Sequence, residues 1–202
     1  MTTKKRSLAS LIVGACALAP SLAMAHPGHD THSWMAGALH SLTGTDHLIA
    51  LVSFGLVLAA VATRFSHKLI IAAFGLLALL SGLISGQHFG AISLVEPMII
   101  GSLVVASLCL WVIALPNRVT SLKKGWQSKM ADIALVGAPT FLLFFHGYAH
   151  GVEASGSVTQ FGFGMMVTAA LLMASGATLF TFARTLWWAW GISALSSLAL
   201  LA

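Results

Sequence analysis

The sequence predicts an all-α fold, a polytopic transmembrane helical bundle of about six helices, and three observations carry that expectation. Of the 202 residues, 58% are hydrophobic and only 7% charged, against about 25% charged in an ordinary soluble domain. So little polar surface cannot cover a water-soluble fold. The apolar residues gather into six runs, at about 34–62, 69–86, 91–115, 131–150, 160–183 and 186–202. Each run is near the roughly 20 residues that a bilayer crossing requires. Finally, Arg64 and Lys68 follow run one, Arg118, Lys123, Lys124 and Lys129 follow run three, and Arg184 follows run five. All basic residues beyond the N-terminus therefore fall on one side, which the positive-inside rule makes the cytoplasm.

The N-terminus agrees with that orientation independently. Lys4, Lys5 and Arg6, the apolar stretch from Leu8 to Leu18, and Ala23-Met24-Ala25 before His26 have the order of a secretory leader. Residues 1–25 are read as a signal peptide, 26–33 as a periplasmic His-rich tract and 34–202 as the transmembrane domain. The protein is placed in the bacterial inner membrane with its mature N-terminus in the periplasm. An uncleaved first helix is the alternative, against which stands the short apolar core. The formal charge of +5 and the pI near 9.7 then reflect topology. No basic patch with interleaved aromatics suggests a nucleic-acid surface. Cys16 lies in the leader and Cys109 in run three, so the mature chain has no disulfide pair.

Run one contains His40, Gly44, Asp46 and His47. Ionisable residues at membrane depth cost at least ~2.5–3.5 kcal/mol on insertion scales, so three together mark a site. Gly44 is a natural place for a helix break beside Asp46 and His47, as in transporters built on discontinuous helices. On a straight helix His40 and His47 share a face but stand ~10 Å apart along the axis. They reach one ion only if the Gly44 region bends. Run two carries the Gly82-x-x-x-Gly86-x-x-x-Gly90 series, a close-packing signal. Run three opens near Glu96-Pro97, where the carboxylate reads equally as ligand or as a helix-start residue favoured by the dipole.

Run four closes with His146, His150 and Glu153 along one helical stripe. Two histidines at i, i+4 let both rings approach one metal ion. Trp187, Trp188 and Trp190 open run six as an interfacial belt. Runs one to three and four to six have opposite orientations, so a 3+3 inverted repeat is geometrically possible. Its sequence support is a His-rich, Gly-interrupted opening helix in each half.

The tract before run one holds His26, His29, Asp30 and His32 within seven residues. Short His-rich tracts bind transition metals. Imidazoles with a few carboxylates and no thiolate suit Ni²⁺, Co²⁺, Zn²⁺ or Cu²⁺ rather than Ca²⁺, Mg²⁺ or Cu⁺. The metal candidates are therefore His26, His29, His32, His40, Asp46, His47, Glu96, His146, His150 and Glu153. Rival readings of the same histidines are axial ligation of a haem or a membrane metalloenzyme with an activated water. His67, among basic loop residues, and His88 read as loop polar groups.

These motifs together resemble the HupE/UreJ family of hydrogenase and urease accessory membrane proteins, regarded as nickel and sometimes cobalt permeases. The resemblance runs from the His-Pro-Gly-His start at His26 through His40-x-x-x-Gly44-x-Asp46-His47 and Val95-Glu96-Pro97 to His146-Gly-Tyr-Ala-His150-Gly-Val-Glu153. Ser41 stands where members usually have Pro, and Leu51 replaces a common Met. The resemblance implies secondary transport of Ni²⁺ or Co²⁺ from periplasm to cytoplasm to supply urease or hydrogenase. It implies no catalysis and no permanently bound cofactor; the metal ion and the lipid bilayer are the expected partners, with a homo-oligomer possible.

Overall fold

The computed structural model describes residues 33–114, 126–154 and 157–182 of the chain. Residues 1–25, read above as a leader, the tract carrying His26, His29 and His32, the basic residues 118–124 and the run at 186–202 lie outside the described residues. The helices are α1 (Trp34–Thr43), α2 (Thr45–Val61), α3 (Phe65–Phe89), α4 (Val95–Ala114), α5 (Trp126–Glu153) and α6 (Val158–Phe182). Among the described residues four helices are long and apolar enough to cross a membrane, or five when the bent α1–α2 pair counts as one span. Phe74, Phe141, Phe163 and Leu171 are exposed on the outside of the bundle. Such a surface suits lipid and not water. The expected polytopic helical bundle is the observed architecture.

Two long helix pairs build it: α3 packs along α5, and α1 and α2 pack along α6. Both are glycine seams. A Cβ added to Gly82 or Gly86 would fall 1.9 or 2.0 Å from the carbonyl oxygens of Phe144 or Tyr148, and one on Gly147 or Gly151 would fall 1.9 or 2.1 Å from those of Leu79 or Leu83. The contacts are reciprocal, and both chains advance in the same direction, so the helices are parallel. Gly37 and Gly164 bring α1 equally close to α6, as do Gly55 and Gly176 for α2. In lipid, where the hydrophobic effect does not drive helices together, such backbone approach supplies van der Waals and Cα–H···O contact. Exchanging crossing one with four and two with five turns one seam into the other, which is the pairing a 3+3 repeat requires.

The third glycine of the run-two series does something else. Gly90 has φ 73° and ends α3, and a Cβ there would point into open space; the Tyr148 hydroxyl donates to its carbonyl at 2.8 Å. Nor do the glycines after His146 and His150 interrupt α5, which stays helical through both because Gly147 and Gly151 serve the seam. Pro139 lies inside α5 and cannot donate to Leu135, four residues back. The Cys109 thiol approaches that carbonyl at 3.7 Å. The core between the seams contains Leu51, Phe54, Leu79, Leu143, Leu172 and Met173. It holds the helix ends that carry the polar residues in fixed register.

Candidate metal centre

The site begins with the break in the first run. Gly44 donates its N–H to the His40 carbonyl at 2.8 Å and accepts from the Leu48 N–H at 2.9 Å, closing α1 and opening α2. The two helices meet at 80°. With φ −68° and ψ 110°, the backbone here is open to any residue; crowding by the site's own side chains is what favours glycine. A Cβ would lie 2.8 Å from His47 Nδ1, 3.1 Å from the His40 carbonyl oxygen and 3.3 Å from Asp46 Oδ1. Ser41, in place of the usual proline, stays helical and buried and donates its hydroxyl to the Gly37 carbonyl at 3.2 Å. The bend therefore forms without that proline. It brings the His40 and His47 rings to 5.4 Å between centroids, well inside the straight-helix spacing.

Asp46 sits in the first turn of α2, where the helix dipole favours a carboxylate. It accepts a hydrogen bond from His47 Nδ1 at 2.9 Å. From α5, His146 and His150 enter the same space, both almost wholly buried. His150 Nε2 faces His47 Nε2 in direct contact, and His146 Nδ1 stands 3.9 Å from Asp46 Oδ2.

Two three-residue groups result, His40 with His47 and His150, and Asp46 with His47 and His146, each with potential ligand atoms within 4.8 Å of one another. His47 belongs to both. Its Nδ1 edge faces Asp46 and its Nε2 edge faces His150. A neutral imidazole has a single lone pair, so His47 serves one group at a time. The buried Nδ1 atoms of His146 and His150 have no hydrogen-bond partner. Buried polar atoms are normally paired, and an unpaired one costs about 1–3 kcal/mol.

A cavity of about 450 Å³ adjoins the first group, lined by Ser33, Leu39, His40, Thr43, His150 and Glu153 among others. The second group lies about one helical turn deeper, by the His146-to-His150 spacing. Glu153 Oε2 is 3.9 Å from His150 Nδ1, with its side chain 65% exposed. It stands at the mouth and outside both groups. Glu96 is exposed in the first turn of α4 and is likewise in neither. The i, i+4 pair divides: His146 belongs to the deeper group and His150 to the outer one.

One contact had no sequence signal. Ser102 of α4 is buried, with its Oγ 2.7 Å from His146 Nε2; in the sequence it is one small polar residue in an apolar run. The ring spacings also bear on haem ligation. The His40–His150, His47–His150 and His47–His146 centroids are 4.5, 4.4 and 5.1 Å apart. Imidazoles in such contact leave no gap for a flat macrocycle between those pairs.

Compared with known families, residues 14–201 match the HupE / UreJ protein model. The chain belongs to the HupE/UreJ family. No characterised protein and no solved structure matches it. Membership in this family and the long apolar helices make it a multi-pass membrane protein. The family points to an accessory transport role for nickel or cobalt and not to catalysis.

Proposed function

We propose that this protein imports a divalent transition metal, Ni²⁺ first and Co²⁺ second, from the periplasm to the cytoplasm, where it supplies urease or hydrogenase. The observation that carries the reading is His47, shared between two adjoining three-residue groups in a bundle of membrane-length helices. The outer group takes the ion at the cavity beside His40, His150 and Glu153. The inner group adds the carboxylate of Asp46, which compensates the ion's charge as water is left behind. Because His47 offers one lone pair, transfer inward is an exchange of partners around one ring. His26, His29 and His32 gather the ion ahead of the mouth, and the inner bacterial membrane, with the N-terminus outside, is the location this reading requires.

The sequence has no Walker-type phosphate loop, so the energy comes from gradients. Moving two charges inward is worth about 4.6 kcal/mol per 100 mV, from ~2.3 per charge. That corresponds to roughly three decades of accumulation at 1.36 kcal/mol per decade. A scarce ion is concentrated by the potential alone.

The decisive experiment is radioactive nickel uptake by cells lacking their own nickel importers and carrying either wild type or His47→Ala, with cobalt, zinc and copper as competitors. Nickel accumulation that disappears in the variant is the expected result. Absence of accumulation by well-expressed wild type overturns the proposal.

A further inference from the structure

We infer that Ser102 is a positioning residue of the inner metal group: its hydroxyl fixes the His146 ring as the Nε2–H tautomer and so turns the Nδ1 lone pair towards Asp46 and His47. The inference rests on the metal-transport reading and adds to it a residue on a fourth element, α4.

The assignment follows from counting protons. Ser102 Oγ lies 2.6 Å from the Ile99 carbonyl oxygen and 2.7 Å from His146 Nε2. A hydroxyl has one hydrogen to donate. The carbonyl has only lone pairs, so it cannot be the donor in its contact; that shorter contact therefore takes the Ser102 hydrogen. The serine oxygen is left as an acceptor, and His146 Nε2 must be the N–H that donates to it. A neutral imidazole carries one N–H, and so Nδ1 of His146 holds the lone pair. That atom is buried, has no hydrogen-bond partner and faces Asp46 Oδ2 at 3.9 Å.

The opposite tautomer fails on the same geometry. It would place an N–H at buried Nδ1 with no acceptor within hydrogen-bond distance, and would leave the metal-facing edge of the ring without a lone pair. A hydrogen bond to the far nitrogen also holds the ring plane, and metal-binding histidines commonly depend on such a partner. Ser102 can do this because α4 packs against α5 and buries the serine against His146. Its own carbonyl partner is one turn back in the same helix, so the hydroxyl direction is set by α4 itself.

The test uses purified full-length protein in detergent, titrated with Co²⁺ and read by the visible ligand-field absorption of the bound ion. Ser102→Ala is expected to weaken Co²⁺ binding about 10–100-fold and to change the absorption, while the metal-free protein stays folded and monodisperse. Ser102→Thr, which keeps the hydroxyl, is expected to restore both. Wild-type affinity and spectrum in Ser102→Ala overturn the proposal, and so does failure of Ser102→Thr to restore them. Histidine-ring ¹H–¹⁵N correlation spectra of metal-free wild type, with His146 assigned through the signals lost in His146→Gln, give an answer independent of variant folding. Protonated Nε2 is expected; protonated Nδ1 overturns the assignment. If wild type binds no Co²⁺ the metal reading itself falls, whereas the tautomer measurement can fail while the wild type still binds metal.

Discussion

Two stretches of this chain each carry a pair of histidines interspersed with glycine, and they use those glycines in opposite ways. Between His40 and His47, Gly44 ends one helix and starts another, and the 80° bend folds two rings that a straight helix would separate onto one spot. Between His146 and His150, and just beyond, Gly147 and Gly151 leave α5 unbroken and press it against the α3 backbone. The first stretch moves its histidines together by bending; the second holds them one turn apart, so that they face different groups. Glycine in a membrane helix therefore says that something must come close, but not whether that something is a side chain or another backbone.

Substitutions can break this contrast. The largest effect is expected from Gly147→Val, since even the Cβ would lie 1.9 Å from the Leu79 carbonyl oxygen and the neighbour is backbone, which cannot step aside. The α3–α5 seam should not form, and size-exclusion of the detergent-solubilised protein should show loss of the monodisperse species. Next comes His47→Ala, which removes the ring common to both groups and touches neither seam. Normal amounts of folded protein with uptake lowered more than ~100-fold, beyond what loss of a supporting contact costs, are expected; wild-type uptake would sink the central claim.

The pH dependence sharpens the same point. Imidazole binds metal only when neutral, so protons compete with the ion as pH falls. Metal affinity, measured by equilibrium dialysis of purified protein with ⁶³Ni, should therefore fall once the pH is lowered far enough to protonate the site histidines. Affinity that stays unchanged down to the pH at which the fold itself is lost counts against imidazole ligation.

Gly44→Ala should be milder. Its Cβ would meet His47 Nδ1 at 2.8 Å, a side-chain atom that can shift, so the fold should survive while affinity drops about tenfold, within the range for disturbed support of a ligand. Comparing its melting temperature with that of Gly147→Val separates the two uses of glycine directly. Smallest of all should be Glu153→Gln, since this carboxylate is exposed at the mouth and in neither group. About a twofold loss of initial uptake rate at low salt, erased by added salt, is what a screened steering charge produces.

Much of the fold was legible because membrane insertion is a local property. Apolar length, the placement of Lys and Arg, and the cost of burying a carboxylate can all be read segment by segment. The break at Gly44 was readable in the same way, from a glycine next to two polar residues. The start of α4 at Val95, which leaves Glu96 exposed in its first turn, was less so. A short apolar stretch before a proline reads equally well as helix or turn, and the chain at 91–94 takes the latter course.

By itself the sequence determined the class of protein, its family and the residue types offered to a metal. Only the tertiary structure decided that His146 and His150 belong to different groups, that His47 joins them, that Glu153 and Glu96 stand apart, and that Ser102 supports His146. The physical reason is that transfer free energy into lipid depends on each segment alone. Which side chains converge depends instead on the rotation and register of one helix against another, set here by seams of small residues whose partners no single segment names.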